Sequence, residues 1–195
     1  PEQIAEAMGR IESEAIRMTG LVESLLALAR LDESAEITKQ QTDLVALARD
    51  AAKDASAADS QREIRVTDES GEPLSDSAKI TLLADASSLR QVFTNLLANA
   101  SRFSPEGASI EIALHENKSH ALLEVRDHGE GVPEQLREKI FERFYRVDNS
   151  RNSETGGSGI GLSIVSTIVE RHGGTIVADE TPGGGATFRV SLPKK

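Results

Sequence analysis

Two glycine-rich turns carry the residues best suited to chemistry. Asp127-His128-Gly129-Glu130-Gly131 is one; Gly156-Gly157-Ser158-Gly159-Ile160-Gly161-Leu162 is the other, and Ile140-Phe141-Glu142-Arg143-Phe144-Tyr145-Arg146 lies between them. Glycine allows positive φ and close backbone approach, so such turns around a polar stretch suit a flat or phosphorylated ligand. Either turn alone is equally a tight turn or a helix entry. Upstream, Asn95 and Asn99 are four residues apart, and Gln91 and Arg102 fall on the same helical face. Amides aimed at a glycine-lined cavity suit Mg2+, which keeps several waters and takes few protein ligands. Spacing by itself favours a solvated helix face; the company of Asp127 shifts the reading toward a site.

The elements that must position these residues follow from periodicity. The segment 2–33 is rich in helix formers, and Ile4, Met8, Ile11, Ala15, Met18, Val22, Leu25 and Ala29 alternate in spacings of four and three. That is a heptad seam, widened by Leu21, Leu26 and Leu28 toward a helical bundle; a helix lying on its own domain is the alternative. A polar linker over 34–42 leads to a helix over 43–58 with Thr42 as N-cap. Strands are predicted over 63–67 and 79–83. A helix capped by Asp85 or Ser87 runs to Phe103 and carries the amides. A hairpin over 109–115 and 120–126 delivers the chain to Asp127. A helix from Gly161 to Arg171 stops at Gly173-Gly174, and strands over 175–179 and 186–192 finish the domain. Antiparallel strands mixed with amphipathic helices give an α+β fold, a two-layer α/β sandwich preceded by one long helix.

The totals narrow the classes. A chain of 195 residues holds one ordinary domain plus an appendage. The absence of cysteine excludes a disulfide scaffold and thiolate metal sites. A net charge of -10 argues against non-specific binding to nucleic acid or anionic membrane, so any phosphate site is local. The apolar runs are too short or too interrupted to span a bilayer. The start at Pro1, inside a helical pattern, reads as a piece of a longer protein.

Asn95-Leu96-Leu97-Ala98-Asn99-Ala100-Ser101-Arg102-Phe103, Asp127-x-Gly129-x-Gly131, the Phe141 to Tyr145 segment and Gly157-x-Gly159-x-Gly161-Leu162 resemble, in order, the N, G1, F and G2 boxes of sensor histidine kinases. The Gly183-Gly184-Gly185-Ala186-Thr187-Phe188 turn is similar to that family's closing glycine motif. Residues 1–33 resemble the second helix of its dimerisation hairpin. The resemblance implies a Bergerat-type ATP-binding fold over 43–195, with ATP and Mg2+ as cofactors. It implies that Asn99 binds Mg2+ with Asn95 beside it, and that Asp127 accepts from the exocyclic amine of adenine. Guanine offers a carbonyl there and would be rejected. Gly129 and Gly131 would admit the base, Phe103 would stack on it, and Arg102 and Arg146 would neutralise phosphate oxygens. Gly157, Gly159 and Gly161 would present backbone N–H groups to the phosphates, and Tyr145, Ile160, Leu162 and Thr187 would also contact nucleotide. Residues 147–156 read as a lid.

The family's phosphoacceptor stands in a His-Glu or His-Asp pair, which this sequence lacks. His115 and His120 flank a hairpin turn and read as solvated, His128 lies in a glycine turn, and His172 precedes a helix cap, where a cationic ring suits the helix dipole. The expectation is a chain that binds Mg-ATP without phosphorylating itself, with the acceptor upstream and a response-regulator receiver domain downstream. By the same resemblance the full-length protein is a homodimer, anchored in a bacterial membrane with this part cytoplasmic. A serine-kinase anti-sigma factor and a non-catalytic ATP-gated dimerisation module share the fold and are the rival readings.

Overall fold

The computed structural model describes residues 37–147 and 159–195, with Met8, Gly9, Ile11, Ala15, Met18, Thr19, Gly20, Val22 and Leu26 from the N-terminal segment. These last are helical, as the heptad spacing predicts, and Thr19 Oγ1 donates to Ala15 O one turn back. Met8, Ile11, Met18, Val22 and Leu26 are exposed. Ile4, Leu25 and Ala29 of the seam, Gly157, and nearly all of the stretch read as a lid lie outside the described residues.

Strand β1 (Gln40–Asp43) opens the described fold and pairs antiparallel with β3 (Thr81–Ala84). The linker expected over 34–42 therefore runs into a strand. Its residues are polar and only Thr42 is buried, so no alternation betrays it. Thr42 is not a helix cap: its hydroxyl donates to Ala84 O across the pair. The cap of α1 (Leu44–Ala58) is Asp43, whose carboxylate accepts from Val45 N and Ala46 N. Such a cap is worth about 1 kcal/mol. Helix α2 (Ala86–Phe103) is capped by Asp85 in the same way, through Ser87 N and Ser88 N.

The main sheet has the order β2 (Ile64–Thr67), β4 (Ile110–Glu116), β5 (His120–Arg126), β7 (Ala186–Pro193) and β6 (Thr175–Glu180). Only the β2 and β4 pair is parallel. Alternate residues of the central strands, Ala121, Leu123 and Val125 with Phe188, Val190 and Leu192, are buried in the core. Against this face lie α1, α2 and α3 (Gly161–Arg171), with α2 touching both other helices. Leu89, Val92, Phe93, Leu96 and Leu97 of α2 are at most 2% exposed. Burying each such side chain contributes about 1.5–3 kcal/mol relative to exposure. This is the two-layer α/β sandwich that the pattern predicts. Helix α2 lies in its helical layer; Arg90 and Thr94 on its outer side are exposed, while Asn95, Asn99 and Arg102 are half-buried.

Candidate functional site

Asp127 follows β5 directly, and its position is set by parity. Residues 121, 123 and 125 point into the core, so residue 127 continues on that side beyond the apolar packing. Asp127 is 2% exposed. Gly129 N–H donates to its Oδ1 at 2.9 Å and Ala186 N–H at 3.0 Å, while its own N–H donates to Ala186 O. Among the described residues no protein donor reaches Oδ2. The carboxylate is therefore oriented by backbone on one oxygen and left with acceptor capacity on the other.

Glycine is required around this group for steric reasons. A Cβ on Gly129 would lie 2.3 Å from Phe103 O, and one on Gly185 would lie 2.0 Å from Asp127 O. Gly185 also has φ 113, following positive values at Gly183 and Gly184. The turn after Thr181 thus lies directly against Asp127. Sequence reasoning noted the triple glycine without assigning it this task, and it missed Ala186 as a donor; the run of three glycines was the available signal.

A second cluster forms where α2 passes the start of α3. A Cβ on Gly161 would lie 3.6 Å from Asn95 Oδ1. Asn95 Nδ2 and Arg102 Nε are both buried without a hydrogen-bond partner among the described residues. Two orphaned donors on one helix fit an anion, because each would regain the hydrogen bond that burial denies it. Burial, and secondarily the charge of Arg146, hold the Arg102 guanidinium below its ordinary pKa. Arg102 nevertheless remains a cation and stands 5.1 Å from the centre of the Phe103 ring. Helix α3 begins after Ile160, which has no side-chain oxygen with which to cap it. Its first residue, Gly161, lies beside Asn95, so the positive end of the α3 dipole is close to the same cluster.

The segment read as the F box is tied to the second glycine turn. Phe144 N–H donates to Gly159 O at 3.0 Å, and Phe144 itself has φ 65, unusual for a bulky residue. Gly159 has φ 69, and a Cβ there would meet Tyr145 O at 2.9 Å and Arg146 Cγ at 3.2 Å. Arg146 is consequently carried to the Arg102 side of the site.

The structure thus brings together Asn95, Arg102, Phe103, Asp127, Gly129, Gly131, Tyr145, Arg146, Gly159 and Gly161. Gly131 joins through Gly185, whose carbonyl a Cβ on Gly131 would approach to 3.0 Å. Asn99 is half-buried one turn beyond Asn95. Three expectations change. The Thr187 hydroxyl pairs with Thr181 Oγ1 at 2.9 Å, and its cross-strand partners Arg126 and Asp179 put it on the opposite sheet face from Asp127. The residue that meets the site is Ala186, one position earlier. The Ile160 side chain is fully buried in the core and Leu162 packs against that core, so contributions from these two to a ligand would come from backbone.

The histidines differ from expectation as well. His115 and His120 are half-buried rather than solvated, and His115 Nδ1 is buried without a partner. His172 is 3% exposed, with burial pushing its pKa down, so it is a neutral ring rather than a helix-dipole cation.

The protein named probable sensor histidine kinase TcrY, from Mycobacterium tuberculosis, is 41% identical over 193 residues, covering 99% of this chain and 39% of its own length. The solved mycobacterial sensor histidine kinase MprB superposes with a TM-score of 0.68 at 28% identity, over 80% of this chain and 98% of that one. Full-length ShkA in complex with AMPPNP gives a TM-score of 0.74 at 29% identity, over 90% of this chain and 35% of that one. The chain spans about two fifths of the length of the first curated relatives it matches. Residues 84–195, which include every site residue above, match the family described as histidine kinase-, DNA gyrase B- and HSP90-like ATPase. The open carboxylate, the orphaned anion donors and the matched residues lead to one assignment: the chain belongs to the histidine kinase-, DNA gyrase B- and HSP90-like ATPase family.

Proposed function

We propose that residues 43–195 bind Mg-ATP as the catalytic part of a sensor histidine kinase. The γ-phosphoryl group would pass to the ring nitrogen of a histidine upstream of this sequence, then to an aspartate on a response-regulator receiver domain. The observation that carries the reading is Asp127: a buried carboxylate with one oxygen held by two backbone donors and the other open to a donor from outside. The exocyclic amine of adenine supplies that donor, whereas the guanine carbonyl would set acceptor against acceptor. Asn95 Nδ2, Arg102 and the start of α3 would then face the phosphates.

Transfer of a phosphoryl group needs positioning and charge neutralisation more than covalent help. Arg102 and Arg146 supply the neutralisation from this chain, and Asn99, with Asn95 beside it, offers amide oxygens for Mg2+. When bound, the ion would offset the negative charge of the phosphates. Dimerisation through the seam of residues 1–33, membrane anchoring of the full-length protein and a cytoplasmic position for this part belong to the same proposal. Among the described residues no helix is long and apolar enough to cross a membrane.

No histidine here suits the acceptor role. His172 is enclosed, His115 and His120 flank the hairpin turn of β4 and β5, and His128 sits in the glycine turn beside the proposed base site. Incubation with γ-labelled Mg-ATP should leave the 195-residue chain unlabelled. A version extended upstream should acquire an acid-labile, base-stable label. Stable label on the chain alone, or acid-stable label on the extended one, would move the assignment to the serine-kinase rival.

A further inference from the structure

Helices α2 and α3 run antiparallel and touch at both ends of α3. Near its first residue, Gly161 faces Asn95 of α2. At its C-terminal end, His172 holds Asp85, the cap residue of α2. His172 Nδ1 lies 2.8 Å from Ile168 O, and Asp85 N–H donates to His172 Nε2 at 3.1 Å. The two bonds fix the tautomer: Nε2 must present a lone pair, so the proton is on Nδ1 and is donated to Ile168 O. The Asp85 carboxylate caps α2 while its amide is tied to His172, so the cap of one helix is registered against the C-terminal end of the other.

The spacing makes the two contacts a matched pair. Ten residues separate Asp85 from Asn95, about 15 Å along a helix. Helix α3 has 11 residues, about 16 Å. A shift of α3 along α2 would break the far hydrogen bond and at the same time carry Gly161 away from Asn95. The near contact sets where the Asn95 amide stands relative to the glycine turn; the far contact is made by a ring enclosed in the protein. Lys39, Asp85 and Arg171 are the charged groups facing that ring.

We propose that His172 is a positioning residue for nucleotide binding: by pinning the cap of α2 to the end of α3, it fixes the Asn95 amide against the N-terminus of α3, where the phosphates sit. The inference rests on the nucleotide-site reading above. A purely structural histidine would affect the folded fraction and leave the affinity of the folded chain unchanged, which separates the two roles.

The test is calorimetric titration of Mg-ATP into the 195-residue chain, His172→Asn, Asn95→Ala and the double variant, each first shown folded by circular dichroism. Asparagine retains a donor near the Nδ1 position but offers no acceptor where Nε2 stood. His172→Asn is expected to weaken Mg-ATP about fivefold. In the Asn95→Ala background the same change should cost almost nothing, because the group being positioned is gone. Full affinity in folded His172→Asn, or losses that simply multiply in the double variant, would overturn the proposal. Should His172→Asn not fold, hydrogen exchange on the native chain reads the same coupling: Mg-ATP should slow exchange of the Asp85 amide, and unchanged exchange would refute it. Failure of the native chain to bind Mg-ATP would instead remove the site reading itself.

Discussion

Glu124 and Asp127 are three residues apart along one stretch of chain, both nearly enclosed at 6% and 2% exposure, and their surroundings are opposite in kind. Glu124 points to the sheet face away from the helices. There Arg126 and Arg189 each reach it at 2.6 Å, and they continue to Glu111 and Asp179 respectively. Burial pushes the Glu124 carboxyl up, but hydrogen bonds from the two arginines outweigh it and hold the group below its usual range. Every charge in that cluster is answered by protein. Asp127, on the other face, is answered by two backbone amides on one oxygen only. Burial therefore does not mark a functional carboxylate. What distinguishes Asp127 is acceptor capacity that the fold orients and leaves unused.

The largest effect should come from reversing that capacity. In Asp127→Asn the amide oxygen can keep both backbone bonds, but an NH2 replaces the open oxygen and meets the adenine amine donor to donor. Affinity for Mg-ATP should fall about 100-fold, with little change in denaturant midpoint. Calorimetry and urea unfolding check the two halves. Loss of stability in proportion to the loss of affinity would make Asp127 structural, like Glu124. The converse substitution should separate the same properties in the other direction. Glu124→Gln should cost about 2 kcal/mol of folding stability, less than a fully enclosed ion pair because both arginines keep a second carboxylate. Its Mg-ATP affinity should equal that of the native chain. A tenfold loss there would mean that the outer face bears on the site after all.

Much of this contrast was legible beforehand. Apolar helical faces, cap residues and strand periodicity located α1, α2, α3 and six of the seven strands, and Asp127 with its glycines stood out by type and spacing. Strand β1 was not legible because Gln40, Gln41 and Thr42 carry no apolar alternation; their partner β3 decides their conformation. The assignment of Thr187 to the site was avoidable. Phe188, Val190 and Leu192 declare the buried parity of β7, which places Ala186, not Thr187, on the side of Asp127. The neutrality of His172 was beyond sequence reasoning. Its position near a helix C-terminus favours a cation, and only the packing of the Asp85 amide against Nε2 shows that a lone pair must stand there.

The smallest predicted effect uses pH to keep structural titration apart from the site. The folded-state pKa of His172 is lowered, chiefly by burial, so the unfolded chain binds the extra proton first. Its contribution is complete above the unfolded value of about 6.5 and declines as pH falls below it. Glu124 is lowered too, against burial, by its arginines. Its contribution is complete above about 4.3, the unfolded glutamate value, and is lost as pH falls through the folded pKa. Acid titration of unfolding free energy should therefore decline in two windows, one starting near neutrality and one in the carboxylate range. Glu124→Gln should shrink the lower window, to which the lowered carboxyls of Asp85 and Asp68 also contribute, and leave the upper one intact. An unchanged lower window in Glu124→Gln would show that its arginines hold the charged state no better than water does, and the sheet face would lose its claim to be a closed network.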